Sequence, residues 1–142
     1  FVLAELEAND RSKDTLPILL DIDGNISEGI GYNVFMVKDG VLKTPLDKNI
    51  LQGIARSVIL DLAAQAELSC VECDIQPYDL YTADEVFFTR TSPRIIPVST
   101  VDGRQIGDGK AGVMTRNLLA AHSELVDVDI VGQAKYYSET QS

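Results

Sequence analysis

A chain of 142 residues with 45% hydrophobic content is long enough to bury a core of its own as one domain. Its 22 Asp and Glu against 12 Lys and Arg give a formal net charge of −10, which argues against a nucleic-acid partner, because a phosphate backbone calls for a concentrated basic face. No apolar run reaches membrane-span length: Leu16–Leu20 and Val58–Ala64 are each cut short by charge or polarity. Nothing at the start resembles a signal peptide, so the expectation is a cytoplasmic domain with no membrane partner.

In chain order, Phe1–Asn9 reads as the last turns of a helix, followed by an exit loop to Thr15. Strands are expected at Pro17–Ile22, Tyr32–Lys38 and Val41–Thr44, the last two joined by Asp39-Gly40, a strong hairpin signal. Ile54, Val58, Leu62 and Ala66 recur at helical spacing and predict a helix over Ile54–Glu67 that starts just after Gly53. Then come a strand at Val71–Ile75, a short helix at Tyr78–Ala83 and a compact apolar strand at Glu85–Thr89. A strand at Ile95–Thr100, a second Asp-Gly hairpin at Asp102-Gly103, a helix from Gly112 to Leu125 and a polar tail after Tyr137 complete the pattern. Many short strands with two main helices predict one α/β domain of mixed, α+β character, built on a curved and largely antiparallel sheet.

Cys70 and Cys73 form a C-x-x-C, but zinc needs two further ligands and His122 is the only histidine, while a redox motif needs a following helix. Both therefore read as structural thiols in a reducing compartment, and no metal site is expected. Gly107-Asp-Gly-Lys-Ala-Gly112 satisfies G-x-G-x-x-G, yet it follows a hairpin and leaves too little chain for a dinucleotide fold. It reads as a loop.

Three segments carry chemistry. Glu28 sits among Gly24, Gly29 and Gly31, where backbone freedom presents a carboxylate at close range at the tip of an expected hairpin. Leu51-Gln-Gly-Ile-Ala-Arg56 sets a glycine at a helix start, where free N–H groups and the helix dipole hold a phosphate even in an acidic protein. Thr89-Arg-Thr-Ser-Pro-Arg94 sets hydroxyls directly after a buried strand. Taken singly, these are a hairpin, a capped helix and a turn.

Together the blocks Asp23-Gly-Asn-Ile-Ser-Glu-Gly-Ile-Gly-Tyr-Asn-Val-Phe35, Lys38-Asp-Gly-Val-Leu-Lys-Thr-Pro45, Leu51–Arg56 and Ala83-Asp-Glu-Val-Phe-Phe-Thr89 resemble the fold-type IV pyridoxal-phosphate (PLP) enzymes. That family includes the branched-chain and D-amino-acid aminotransferases, (R)-selective amine transaminases and aminodeoxychorismate lyase. The resemblance runs over nearly the whole chain and covers only the larger, C-terminal domain of such enzymes. It implies that residues 1–142 form a single PLP-binding domain, with the smaller N-terminal domain and the Schiff-base lysine lying upstream of Phe1. Glu28 would partner the pyridine nitrogen, the backbone N–H groups of Ile54 and Ala55 beside Gly53 would take the phosphate, and Thr91 would add a hydroxyl. Leu51 would pack on the ring, and Ser92 would hold the substrate carboxylate through its N–H.

None of Lys13, Lys38, Lys43, Lys48, Lys110 or Lys135 has the context of the family's lysine. Ala55 stands where many relatives carry Thr. The implied activity is transfer of an amino group between a branched-chain-like amino acid and a 2-oxo acid, in a homodimer, with this chain inactive by itself. The alternatives are a lyase of the aminodeoxychorismate type, a D-amino-acid or (R)-amine transaminase, and a catalytically silent fragment or pairing domain.

Overall fold

Alternation, not helical spacing, governs the first segment. Val2, Ala4 and Leu6 are buried while Leu3 is exposed, so Val2–Leu6 is strand β1 and not the end of the helix expected for Phe1–Asn9. Five residues with one intervening charge fit either period, and pairing along both edges of the segment decides for the strand. The computed structural model describes residues 2–6, 15–29, 32–46, 54–90 and 94–124. After β1 come β2 (Thr15–Leu20), β3 (Ile26–Gly29), β4 (Tyr32–Lys38), β5 (Val41–Thr44), α1 (Ile54–Gln65), β6 (Cys70–Glu72) and α2 (Pro77–Tyr81). Strands β7 (Glu85–Arg90), β8 (Arg94–Val101) and β9 (Arg104–Gln105) follow, then helix α3 over residues 113–124.

The nine strands of the described residues form one sheet. Antiparallel pairings run β1–β2, β2–β3, β3–β4, β4–β7, β7–β8 and back from β8 to β1, so these six strands close into a ring. The curved antiparallel sheet of the sequence reading is therefore a small barrel. Strand β5 pairs with the far half of β4, and β6 adds to β5 in parallel. Both Asp-Gly pairs take the positive φ that a tight hairpin demands: Asp39 51° and Gly40 77°, Asp102 50° and Gly103 77°.

Two cores flank the sheet. Inside the ring lie Val2, Ala4, Ile18, Ile26, Val34 and Phe88 with their neighbours. Outside it, Phe35, Val37 and Phe87 pack with Leu42, with Ile59 and Ala63 of α1, and with Leu118 of α3. Strands β4 and β7 supply both cores by alternation, which is why their sequences read as continuous apolar runs. Cys70 joins the outer core and Cys73 the inner one, so the two thiols serve different clusters, and burial raises both pKa values.

Helix α3 is fastened by Glu85. Its carboxylate accepts the backbone N–H of Met114 at 3.2 Å and of Thr115 at 2.8 Å, satisfying donors that a helix start leaves open. Gly112 permits this approach, since a Cβ there would lie 2.1 Å from the Glu85 carboxyl carbon.

Glu85→Ala should cost about 1–2 kcal/mol in urea unfolding, the range for a lost charged cap. Gly112→Ala should cost a comparable amount in the native background and distinctly less in Glu85→Ala, where the obstructing carboxylate is gone. His122, buried on α3, has its pKa pushed below 6.5 by burial. The unfolded chain takes up that proton at higher pH than the folded one, so stability should be intact above pH 6.5 and decline below it. Unfolding midpoints measured from pH 7.5 to 5 should show the decline in the native chain and a shallower one in His122→Leu.

Candidate active site

The reverse turn between β2 and β3 is built by Asp21, whose Oδ1 accepts the N–H of Asp23 at 2.9 Å and of Asn25 at 3.0 Å, with Gly24 at φ 83°. Glu28 is therefore not in the turn itself, as the glycine pattern suggested, but inside strand β3. Ile26 pairs with Leu20 and Gly29 with Ile18, so three steps along β3 match two along β2. This is a β-bulge: Ser27 and Glu28 together face Leu19. Ile26 and Ile18 both belong to the inner core, and the extra residue lets Gly29 share that side too. Alternation then sets Glu28 on the opposite, outer face.

Across the neighbouring strands this face continues as a polar row. Gly29 pairs with Tyr32, so Glu28 and Asn33 each adjoin the point where β3 meets β4. Asn33 pairs with Thr89. Asn33 and Thr89 are only 6% and 1% exposed, and the Thr89 hydroxyl has no hydrogen-bond partner among the described residues. Thr89 opens the hydroxyl-bearing segment singled out in the sequence, whereas Asn33 does not stand out as functional there. The available signal was a polar side chain at an outward position of an otherwise apolar strand.

The start of α1 lies at the same end of the sheet. Thr44, the last residue of β5, donates its hydroxyl to the Val34 carbonyl at 2.8 Å, tying the end of β5 beside Asn33. Pro45 O then accepts Arg56 Nη2 at 3.1 Å, and the same nitrogen meets the carboxylate of Glu72 on β6. Arg56 is buried in the first turn of α1, so this double contact fixes where the helix begins. At its other end, Leu68 N–H closes on Ala63 O at 2.9 Å, and Leu42 N–H takes Ser69 O at 2.9 Å, which sets the C-terminal end beside the β5 hairpin. The positive end of the helix dipole thus lies on the side of Pro45 and Glu72.

Ile54 and Ala55 open α1, as expected for backbone phosphate donors. Leu51, Gly53, Thr91 and Ser92 lie outside the described residues. The chain into 91–93 leaves from Arg90, the residue paired with Tyr32, and so from the same end of the sheet as Glu28. Tyr32 itself donates its hydroxyl to Pro17 O, and burial pushes its pKa up to about 12, against the opposing effect of Arg90. It is a structural hydroxyl on the inner side and stays protonated.

The arrangement has a definite polarity: the start of α1 with its positive dipole end at one side, a carboxylate at the other, and between strands a buried hydroxyl without a partner among the described residues. A ligand with an anionic group at one end and a protonated ring nitrogen at the other matches it. Pyridoxal phosphate has that form, so the residues present fit the cofactor implied by the sequence resemblance.

Comparison with known proteins agrees with this geometry. The family model described as amino-transferase class IV matches residues 1–101. The putative branched-chain-amino-acid aminotransferase of Methanocaldococcus jannaschii is 45% identical over 118 residues, covering 82% of this chain and 41% of that protein. The crystal structure of the Escherichia coli branched-chain amino acid aminotransferase superposes with a TM-score of 0.76 at 40% identity, over 84% of this chain and 41% of that one. The branched-chain amino acid aminotransferase of Thermotoga maritima, itself described as putative, gives a TM-score of 0.75 at 33% identity, over 83% of this chain and 43% of that one. A further branched-chain amino acid aminotransferase, complexed with N-(5'-phosphopyridoxyl)-L-glutamate, gives a TM-score of 0.72 at 36% identity, over 75% of this chain and 36% of that one. The chain therefore spans about two-fifths of the length of the relatives it matches.

Removing Glu72 takes the carboxylate from a buried guanidinium that keeps Pro45 O as a partner, whereas Glu72→Gln keeps an acceptor. Glu72→Ala should destabilise by about 1–2 kcal/mol, because the Glu72 side chain is itself 41% exposed, and Glu72→Gln by roughly half of that. Urea titration of the two variants checks the order.

Proposed function

The chain belongs to the class IV amino-transferases, and from that membership we propose that it is the cofactor-binding half of a PLP-dependent enzyme. The proposed reaction moves an amino group between a branched-chain-type amino acid and a 2-oxo acid. The observation that carries this reading is Glu28 on the outer face of β3, the face that also holds the buried polar pair Asn33–Thr89, a carboxylate suited to a protonated ring nitrogen. The branched-chain names of the relatives at 44–45% identity support the substrate class.

When bound, pyridoxal phosphate supplies an electron sink for the bond electrons at the substrate Cα. Glu28 would hold the proton on the ring nitrogen and so keep the ring electron-poor. The N–H groups of Ile54 and Ala55, beside Gly53, would bind the phosphate, and Thr91 would add a hydroxyl. Leu51 would pack on the ring. The Ser92 N–H would orient the substrate carboxylate. The lysine that carries the cofactor and moves the Cα proton belongs to sequence upstream of Phe1, and the complete protein is a cytoplasmic homodimer. The 142-residue chain alone is a cofactor holder with no turnover.

The test uses the complete reading frame and the chain alone. In the complete protein, Glu28→Gln should retain PLP while lowering kcat roughly 10²–10³-fold, the range for losing one preorganised electrostatic contact. Stopped assays with leucine, isoleucine or valine and a 2-oxo acid measure this. Near-native turnover removes Glu28 from its role. Borohydride reduction of the chain alone with PLP, followed by peptide mapping, should label no lysine stoichiometrically. One fully labelled lysine, such as Lys110, overturns the assignment of the cofactor lysine to upstream sequence.

A further inference from the structure

Strand β4 turns Phe35 and Val37 toward the outer core and Met36 toward the inner one, and Lys43 of β5 is paired with Met36. Paired residues share a side of the sheet, so Lys43 stands on the side opposite the face that carries Glu28. A cleft of about 150 Å³ opens there between the β4–β5 hairpin, the chain at Cys73–Ile75 and helix α2, with the buried Met36 and Ile75 as its apolar lining. Its wall is held at both ends: the Cys73 N–H donates to Thr44 O at 3.0 Å, and the Ile26 N–H donates to Ile75 O at 2.6 Å. Lys38 Nζ donates to Thr82 O at 2.8 Å and ties β4 to the end of α2. A cleft braced in this way is formed before anything enters it.

The cleft carries both signs of charge. Lys43, half-buried, has no hydrogen-bond or ion-pair partner among the described residues. Asp79 accepts the Gln76 N–H on Oδ2 at 2.9 Å, and its Oδ1 has no partner among the described residues. Burial pushes the Cys73 pKa up, Lys43 opposes that rise, and Asp79 and Asp74 add to it, so the thiol lies in the field of both signs. Lys43 and Asp79 line one cleft without forming an ion pair with each other. A cation and a carboxylate oxygen held apart over an apolar surface match a ligand that has a carboxylate, an ammonium and a short hydrocarbon chain.

We propose that this cleft is a second binding site, for a small free amino acid with an apolar side chain, whose carboxylate meets Lys43 Nζ and whose ammonium meets Asp79 Oδ1. The size agrees, since an apolar cavity of roughly 150 Å³ takes a six-carbon ring. Contacts to half-exposed charges are weak, which sets the dissociation constant at roughly 1 mM. The site stands on the far side of the sheet from Glu28 and uses none of the groups proposed to hold the cofactor.

The test uses the complete protein with its PLP fixed by borohydride reduction, so that the proposed active site is already filled. Valine is the probe, with 3-methylbutanoate and isobutylamine as versions that each lack one charge. Alkylation of Cys73 by N-ethylmaleimide, read by peptide mass mapping, should slow about tenfold once valine stands at roughly ten times its dissociation constant. Cys70, which packs with the outer core, should keep its rate and serves as the internal reference. Both single-charge analogues should protect Cys73 far less. Lys43→Gln and Asp79→Asn should each raise the calorimetric dissociation constant for valine about tenfold or more while leaving turnover with leucine unchanged, and Asp79→Asn keeps an oxygen for the Gln76 N–H.

Protection that survives both substitutions, equal slowing at Cys70 and Cys73, or 3-methylbutanoate protecting as well as valine overturns the assignment. If the complete protein neither takes up PLP nor transaminates, the cofactor reading falls, and the same alkylation measured on the unloaded protein still decides the cleft.

Discussion

In strand β4 the two edges are used differently. One edge pairs continuously with β7 from Tyr32 to Val37, while the other is shared between β3, at Tyr32, and β5, from Met36 onward. A sheet cannot make that exchange without leaving a backbone group between the two partners, and Val34 O is that group. The Thr44 hydroxyl meets it at 2.8 Å in a fully buried position, a side chain standing in for a ladder bond. The wedge that opens between β3 and β5 is where the start of α1 and the carboxylate of Glu28 come to the same end of the sheet. Had β5 paired along the whole of β4, there would be no room for either.

The wedge would also let a chain of net charge −10 hold the proposed anion. Long-range charge opposes it, but salt screens that opposition over roughly 10 Å, whereas helix N–H groups act at contact distance. What matters is that the helix start be fixed. Arg56, with Pro45 O and Glu72 as partners, fixes it from within the protein and commits its own charge to Glu72. Within the described residues the proposed anion site would thereby rely on backbone dipoles.

Much of this was legible in the sequence. The Asp-Gly pairs gave both hairpins, the spacing of Ile54, Val58 and Leu62 gave α1, and the Val34–Val37 and Val86–Phe88 runs gave the doubly buried strands. Local patterns suffice where the structure is local. Strand β1 reads wrongly as a helix because five residues cannot separate a period of 2 from one of 3.6, and its identity rests on partners remote in the sequence. The bulge at Ser27–Glu28 exists only as a mismatch between two strands, so no reading of β3 alone reveals it. Asn33 escapes notice for a related reason: it is a polar residue amid an apolar run, and its pairing with Thr89 appears only when the two strands are laid side by side. The fold-family resemblance pointed to Glu28, Ile54 and Ala55, but the physical basis of the carboxylate's placement is the register.

The six-stranded ring closes between β3 and β4 through one residue pair among the described residues, Gly29 with Tyr32, where β4 and β7 share six. A seam of that width is the first place for the ring to part, since opening it forfeits the fewest ladder bonds. Glu28 belongs to one lip of the seam, and Asn33 to the other. The proposed cofactor, held by Glu28, would lie across both lips, so filling the site would favour the closed ring and slowed amide exchange at β3 would report occupancy.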